Sequence, residues 1–269
     1  MGALNGQTVL SRLSAHGLSR SDAVDIAAYL ADVEYHYALL NARSLSIDEK
    51  KTAEVEERLL RGEPTAYITR RKEFYGLEFE LSPSLFIPRP ESELLTELAI
   101  KENPKRIMEL CTGSGAILLS ILSHLECAAG LGVDNSPEAI AMAERNADRL
   151  KLSKRALFMQ ADVLKENLDY TRYDLIVMNP PYLSKEEYAA SAPSIFYEPK
   201  SALVAEEDGY SFYKNILNKL KKFNIMLLLL EIGAQQADKA AQIAQDCGFS
   251  VSVHRDLAQR ERVIRAYKG

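Results

Sequence analysis

The chain has 269 residues, 47% apolar and 26% charged, with a net charge of −5. That length allows one large domain or two, the composition is that of a globular protein, and the negative balance argues against a sequence-nonspecific nucleic-acid binder. Three widely spaced cysteines without a C-x-x-C pattern indicate neither a disulfide framework nor a zinc site, and four scattered histidines have no ligand spacing, so no metal is expected. The longest strongly apolar run, residues 225–230, is far too short to span a bilayer. With no cleavable signal at the N-terminus, a cytoplasmic chain with no membrane association is expected.

Residues 1–70 read as wholly helical. One helix is expected near 21–35, with Val24, Ala27, Leu30 and Val33 on one face. Ser46-Ile47-Asp48-Glu49 reads as a capping box opening a second helix that runs to about Arg61. Gly62 and Pro64 end it. Residues 73–75 and 77–81 flank Gly76 and predict a short hairpin. Pro88 and Pro90 then punctuate entry into the next helix. From Lys105 onward strands and helices alternate, the pattern of a parallel sheet covered on both faces. Residues 250–254 and 262–267 break that pattern as consecutive strands with no helix between them, which favours a terminal antiparallel strand inserted in the sheet. The expected organisation is a helical domain over 1–71, a hairpin linker over 72–88 and an α/β domain over 89–269. Basic clusters at Arg70-Arg71-Lys72 and Lys219-Lys221-Lys222 read as solvated faces.

The first strand of the alternating region, Arg106 to Leu110, runs into Cys111-Thr112-Gly113-Ser114-Gly115 and then a helix over 116–125 that reads as amphipathic. A loop of small residues between strand and helix lets backbone N–H groups approach a ligand closely. The dinucleotide pattern G-x-G-x-x-G does not fit, because its third glycine would fall on Leu118. Glu109 and only two clear glycines suit S-adenosylmethionine better. The next strand, residues 128–133, ends in Asp134, 19 residues beyond Gly115, where a carboxylate accepts ribose hydroxyls in α/β nucleotide sites. A third strand, 156–161, ends in Asp162-Val163, suited to the adenine amine and its face. Any one of these carboxylates could be only a helix cap; three strand ends in order point to a cofactor site.

The apolar run 174–178 ends in Asn179-Pro180-Pro181-Tyr182. Most Asn-Pro and Pro-Pro dipeptides are plain turns. Here the types suit one task, holding a planar NH₂ group while its nitrogen attacks a methyl sulfonium. Its lone pair is delocalised, so two acceptors on its N–H groups favour the geometry that frees it. Asn179 offers a side-chain carbonyl and Pro180 a main-chain one. Pro180 and Pro181 donate no N–H and stiffen the turn, and Tyr182 gives a flat face for stacking. The expected mechanism is direct in-line methyl transfer without a general base, with the amide held about 3–3.5 Å from the methyl carbon.

These motifs, with Gly62-Glu63-Pro64-Thr65-Ala66-Tyr67-Ile68, Glu73-Phe74-Tyr75-Gly76, Phe86-Ile87-Pro88-Arg89-Pro90-Glu91-Ser92-Glu93, Tyr197-Glu198-Pro199 and Arg260-Glu261-Arg262-Val263, resemble the peptide-chain release factor glutamine N(5)-methyltransferase family. The resemblance runs from about residue 60 to the C-terminus. It implies a class I, Rossmann-like methyltransferase sheet with a smaller N-terminal helical domain that recognises substrate. It also implies methyl transfer from S-adenosylmethionine, leaving S-adenosylhomocysteine, to the glutamine amide in the Gly-Gly-Gln loop of class I release factors, proteins of translation termination. The cofactor residues implied are 111–115, Asp134, Asp162, Val163 and Asn179. The catalytic residues are Asn179, Pro180 and Tyr182, and Arg89, Glu91 and Glu198 join the turn in binding substrate. One departure is Cys111, which stands where many relatives have the first glycine of the loop. The alternative is a nucleic-acid methyltransferase acting on the exocyclic amine of adenine, which would flip the base and carry a basic face.

Overall fold

The computed structural model describes residues 2–223, 225 and 227–268. The chain divides into two compact units, Met1–Arg71 with Ala192–Tyr197, and Lys72–Ser191 with Glu198–Gly269. The hairpin therefore belongs almost wholly to the second unit, and six residues from far along the chain return to the first.

In the first unit the elements are β1 (Ala3–Asn5), α1 (Gly6–Ala15), α2 (Arg20–Ala31), α3 (Tyr35–Asn41), β2 (Ser46–Asp48), α4 (Glu49–Leu60) and α5 (Thr65–Thr69). The expectation of a wholly helical segment is corrected here: β1 and β2 pair antiparallel, with Leu4 opposite Ile47. The capping box is corrected with it. Ser46 lies in β2, and Asp48 caps α4 by accepting from Lys51 N at 3.0 Å. Gly62 does end that helix, in the left-handed region at φ 84°, with Glu63 N donating to Arg58 O at 3.1 Å. A side chain there would be strained. The core gathers Val9, Leu13, Val24, Ala27, Ile47 and Ile68; Leu30 and Val33 pack against it only partly buried.

The second unit opens with a hairpin, β3 (Arg71–Phe74) and β4 (Leu77–Glu80). Tyr75 and Gly76 turn it with φ of 52° and 72°, the mirror-image turn that matches strand twist. There follow α6 (Glu93–Lys101), β5 (Arg106–Leu110), α7 (Ala116–His124), β6 (Ala129–Asp134), α8 (Pro137–Arg149), β7 (Ala156–Gln160), β8 (Leu175–Met178), α9 (Lys185–Ala189), α10 (Ser211–Leu220), β9 (Leu227–Glu231), α11 (Ala237–Asp246), β10 (Ser250–Arg255) and β11 (Glu261–Tyr267).

Seven strands form one sheet in the order β10-β11-β9-β8-β5-β6-β7. The block from β9 to β7 is parallel. β11 runs antiparallel to both its neighbours, the inserted terminal strand expected from the sequence. Successive residues of a strand face opposite ways, and both faces are covered: Met108, Ile176 and Leu228 pack under α10 and α11, while Ile107, Leu175 and Leu229 pack under α6 and α7. α7 departs from the amphipathic reading, since residues 116–122 are all buried. No helix among the described residues is long and apolar enough to cross a membrane.

Strand order reverses between β5 and β8. In open α/β sheets the crevice at the carboxyl ends beside such a reversal is where ligands bind.

Candidate active site

Leu110 is level with Met178 across β5 and β8, and Met178 with Leu230 across β8 and β9. Cys111, Asn179 and Glu231 therefore lead off three adjacent strand ends. The glycine loop and the Asn-Pro-Pro-Tyr turn, 64 residues apart at their nearest, become neighbours through this register.

The loop after β5 is built to keep its side chains out of one face. Cys111, Gly113 and Gly115 have φ of 61°, 54° and 79°. A Cβ on Gly113 would meet nothing within 4 Å, which marks open space on that side. Cys111 adopts a conformation that glycine reaches without strain and other residues seldom take; burial pushes its thiol well up, so it stays neutral. Thr112 and Ser114 turn inward. Thr112 donates its hydroxyl to Glu109, which also accepts from Leu118 N at 3.3 Å. Burial pushes the Glu109 carboxyl up to about 8. Ser114 O accepts from Nδ2 of fully buried Asn146, which also holds the β4 backbone through Glu80 N and O. What the loop presents outward is backbone, so Thr112 and Ser114 serve it as framework.

Asp134 stands at the end of β6. Its Oδ2 accepts from Gly113 N at 2.8 Å and its Oδ1 from Ser136 N at 3.0 Å. Burial raises its pKa while these N–H groups lower it. Each oxygen has a further lone pair to offer. At the end of β7, Asp162 pairs with Lys165 at 2.8 Å and accepts from Leu164 N at 3.0 Å, which together hold its pKa down. Val163 is 5% exposed, with most of its side chain in the core.

In the turn after β8, the Asn179 Nδ2 donates to Ser92 Oγ at 3.0 Å and also faces the Glu231 carboxyl, leaving Oδ1 with no donor among the described residues. Tyr182 is tied down through its backbone, donating to Leu203 O at 3.1 Å and accepting from Gln236 Nε2 at 2.8 Å. Its ring lies against the core, and burial pushes the phenol far above its usual range, so it remains neutral. Pro180 is buried and Pro181 half-buried.

The three charged residues expected to bind substrate, Arg89, Glu91 and Glu198, separate into two roles. Glu198, with its side chain 1% exposed, accepts from Ile87 N at 3.0 Å and pairs with Arg89. Each of its oxygens has one partner, which braces the 87–89 segment. Arg89 also lies over the Phe86 ring, 5.0 Å from its centroid. Glu91 is the most exposed of the three but still half-buried, with Arg262 at 3.9 Å; Arg262 in turn pairs with Asp256 at 3.1 Å.

Four buried polar residues that brace the loop and the turn were not singled out from the sequence: Ser92, Asn146, Glu231 and Gln236. Glu231 ends β9 and faces Ser92 and Asn179. Burial pushes its carboxyl up to about 7, with Ser92, Arg262 and Asn179 opposing the rise and Glu91 adding to it. Three acidic residues ending consecutive strands could be read from spacing; a glutamate ending an all-leucine strand carries no such signal. Among the described residues no cluster of histidine, cysteine, aspartate or glutamate could hold a metal ion.

The strand order, the glycine loop after β5 and the carboxylates after β6 and β7 define a class I, Rossmann-like S-adenosylmethionine-dependent methyltransferase. A profile described as the methyltransferase small domain matches residues 90–210. Proteins named release factor glutamine methyltransferase are similar over most of their length. That of Vibrio cholerae is 35% identical, covering 91% of this chain and 89% of that one. That of Clostridium acetobutylicum is 35% identical over 77% of this chain and 75% of its own. For Haemophilus influenzae the figures are 36%, 82% and 82%. The chain belongs to the release factor glutamine methyltransferase family. Among solved structures, the catalytic domain of hMettl16, in complex with MAT2A 3'UTR hairpin 6, superposes with a TM-score of 0.62 over 76% of this chain and 80% of that one; at 16% identity it shares the fold alone.

Proposed function

We propose that this protein methylates the side-chain amide nitrogen of the glutamine in the Gly-Gly-Gln loop of class I release factors, in the cytoplasm. The observation that carries the reading is the Asn179 amide, whose nitrogen is committed to Ser92 so that its oxygen is left to accept. An incoming glutamine NH₂ brings two donors and needs two acceptors, which Asn179 Oδ1 and the Pro180 carbonyl supply. Tyr182, neutral and fixed through its backbone, offers its face to the planar amide.

The residues present suit S-adenosylmethionine. The open side of Gly113 admits a ligand against the loop backbone, and Asp134 has acceptor capacity beyond its two N–H partners. Residues 111–115, Asp134, Asp162, Val163 and Asn179 would hold it, and when bound it supplies an electrophilic methyl on sulfonium. The chain's own work is to place and desolvate the amide. No side chain is needed as base before attack, because the amide proton becomes strongly acidic only once the nitrogen is alkylated. Positioning and fixed dipoles then account for the rate. Glu198 holds Ile87 and Arg89 in place, and Arg89 and Glu91 flank the path of the substrate loop.

The first unit is the docking surface for the intact release factor in this reading. Its support is the large apolar side chains it leaves exposed, Tyr37, Leu40 and Leu60. Methyl-labelled cofactor offered with a class I release factor and, separately, with adenine-containing DNA and RNA tests the proposal by mass spectrometry. The expected product is one methyl on the Gly-Gly-Gln glutamine. Label on adenine with none on protein would overturn it in favour of the nucleic-acid alternative.

A further inference from the structure

We propose that Ser92 and Glu231 are positioning residues that set which end of the Asn179 amide faces the substrate. This rests on the amide-clamp reading above. The two ends of a carboxamide are nearly the same shape, so packing alone does not choose between them; hydrogen-bond partners do. With the oxygen outward Asn179 accepts from an incoming NH₂. With the nitrogen outward it opposes donor to donor and the clamp fails.

Ser92 cannot make that choice alone. A hydroxyl both donates and accepts, so Ser92 Oγ could receive Asn179 Nδ2 or, with the amide reversed, donate to Oδ1. The choice depends on where the Ser92 proton goes. Glu231 provides the destination. It is 1% exposed, level with Asn179 on the neighbouring strand, and faces both Ser92 and Asn179. Its Oε2 has no close hydrogen bond among the described residues, while Ser92 and Asn179 both turn donors toward the carboxyl. Once ionised, above about 7, this carboxylate only accepts. Drawing the Ser92 hydroxyl proton toward Glu231 leaves the Ser92 lone pair for Asn179 Nδ2, the contact seen at 3.0 Å. Direction thus passes from carboxylate to hydroxyl to amide, and Asn179 Oδ1 is left facing out.

The plainer role for Glu231 is as counter-ion to Arg262. The contacts favour the other assignment: Arg262 is engaged by Asp256 at 3.1 Å, with Glu91 at 3.9 Å, and acts on Glu231 only from further away. A buried carboxyl kept without a close cation costs stability that an apolar residue would not, which fits a group retained for what it directs.

The test is a set of single and double variants assayed on a Gly-Gly-Gln substrate, with thermal stability and S-adenosylmethionine affinity measured alongside. Glu231→Gln restores a donor where only an acceptor stood, and Ser92→Ala removes the relay. Each should lower kcat by about tenfold, less than the roughly 10²-fold expected for losing a catalytic polar group outright. Substrate KM and cofactor affinity should stay within about twofold, since the relay acts on an orientation rather than on bulk binding. In an Asn179→Ala background neither change should lower the residual rate further, because members of one network are not additive. If Asn179→Ala keeps the wild-type rate, the clamp itself is wrong and the relay falls with it. If Asn179→Ala is slow while Ser92→Ala and Glu231→Gln turn over normally, the clamp stands and the relay is wrong. Multiplicative losses in the Asn179→Ala background also overturn it. Should Glu231→Gln melt well below the wild type, Ser92→Ala carries the decision.

Discussion

The Gln236 side chain donates from Nε2 to the carbonyl oxygen of Tyr182 at 2.8 Å, joining the start of α11 to the last residue of the Asn-Pro-Pro-Tyr turn. Its Oε1 accepts from Gly233 N and Tyr213 Oη, each at 3.0 Å. Gly209, at φ 87°, has no room for a Cβ beside the same Tyr182 carbonyl. One buried amide thus fixes the turn from behind. Gln236→Ala takes a partner from the Gly233 N–H and from the Tyr182 carbonyl and leaves the Tyr213 hydroxyl only the Glu231 carbonyl at 3.4 Å, a loss of about 1–3 kcal/mol in stability. Turnover should fall with it by about tenfold, as expected when a clamp is loosened by a fraction of an ångström, while cofactor affinity holds. An equally destabilised variant with wild-type kcat, compared well below its melting temperature, would separate Gln236 from the clamp.

This is also where the sequence stopped being legible. The sheet could be read because its strands are apolar runs closed by small or acidic residues, and Asp134 and Asp162 end theirs at recognisable spacings. The Asn-Pro-Pro-Tyr turn was legible because its residue types are rare together and chemically specific. Ser92, Asn146, Glu231 and Gln236 were not, because each acquires its role from partners 32 to 139 residues away. Strands of three residues, such as β1 and β2, are too short to show a period of two. The return of Ala192–Tyr197 to the first unit leaves no trace in local pattern at all.

Asp134→Ala should weaken S-adenosylmethionine binding by about 1.5–3 kcal/mol, the scale of hydrogen bonds to a charged group. Part of that loss comes through Gly113, whose N–H loses its acceptor. Calorimetry that returned wild-type affinity would mean the carboxylate serves only the loop and not the cofactor.

Glu109 gives the fold a pH dependence of known sign. Its carboxyl moves from 4.5 to about 8 because burial disfavours the charge. Stability tied to the neutral form is complete below about 4.5 and is lost as pH climbs through 8. The melting temperature of the wild type should therefore drop more between pH 5 and 9 than that of Glu109→Gln, which cannot ionise. Parallel curves for the two proteins would show that Glu109 titrates normally.

Leu40 is 82% exposed and Leu60 72%, so changing both to serine should leave the melting temperature unmoved. If the first unit docks the release factor, kcat/KM on the intact protein should fall at least about fivefold, the effect of roughly 1 kcal/mol of lost apolar burial. A short Gly-Gly-Gln peptide should be methylated as before. Equal kcat/KM on the intact factor would remove these residues from the interface.

The most direct test of the amide clamp is single-turnover methyl transfer by Asn179→Ala, with cofactor and release factor saturating. The clamp predicts a rate at least about 10²-fold below the wild type, the scale of losing one preorganised polar partner, with S-adenosylmethionine affinity and the folded sheet largely kept. A transfer rate within a few-fold of the wild type would contradict it.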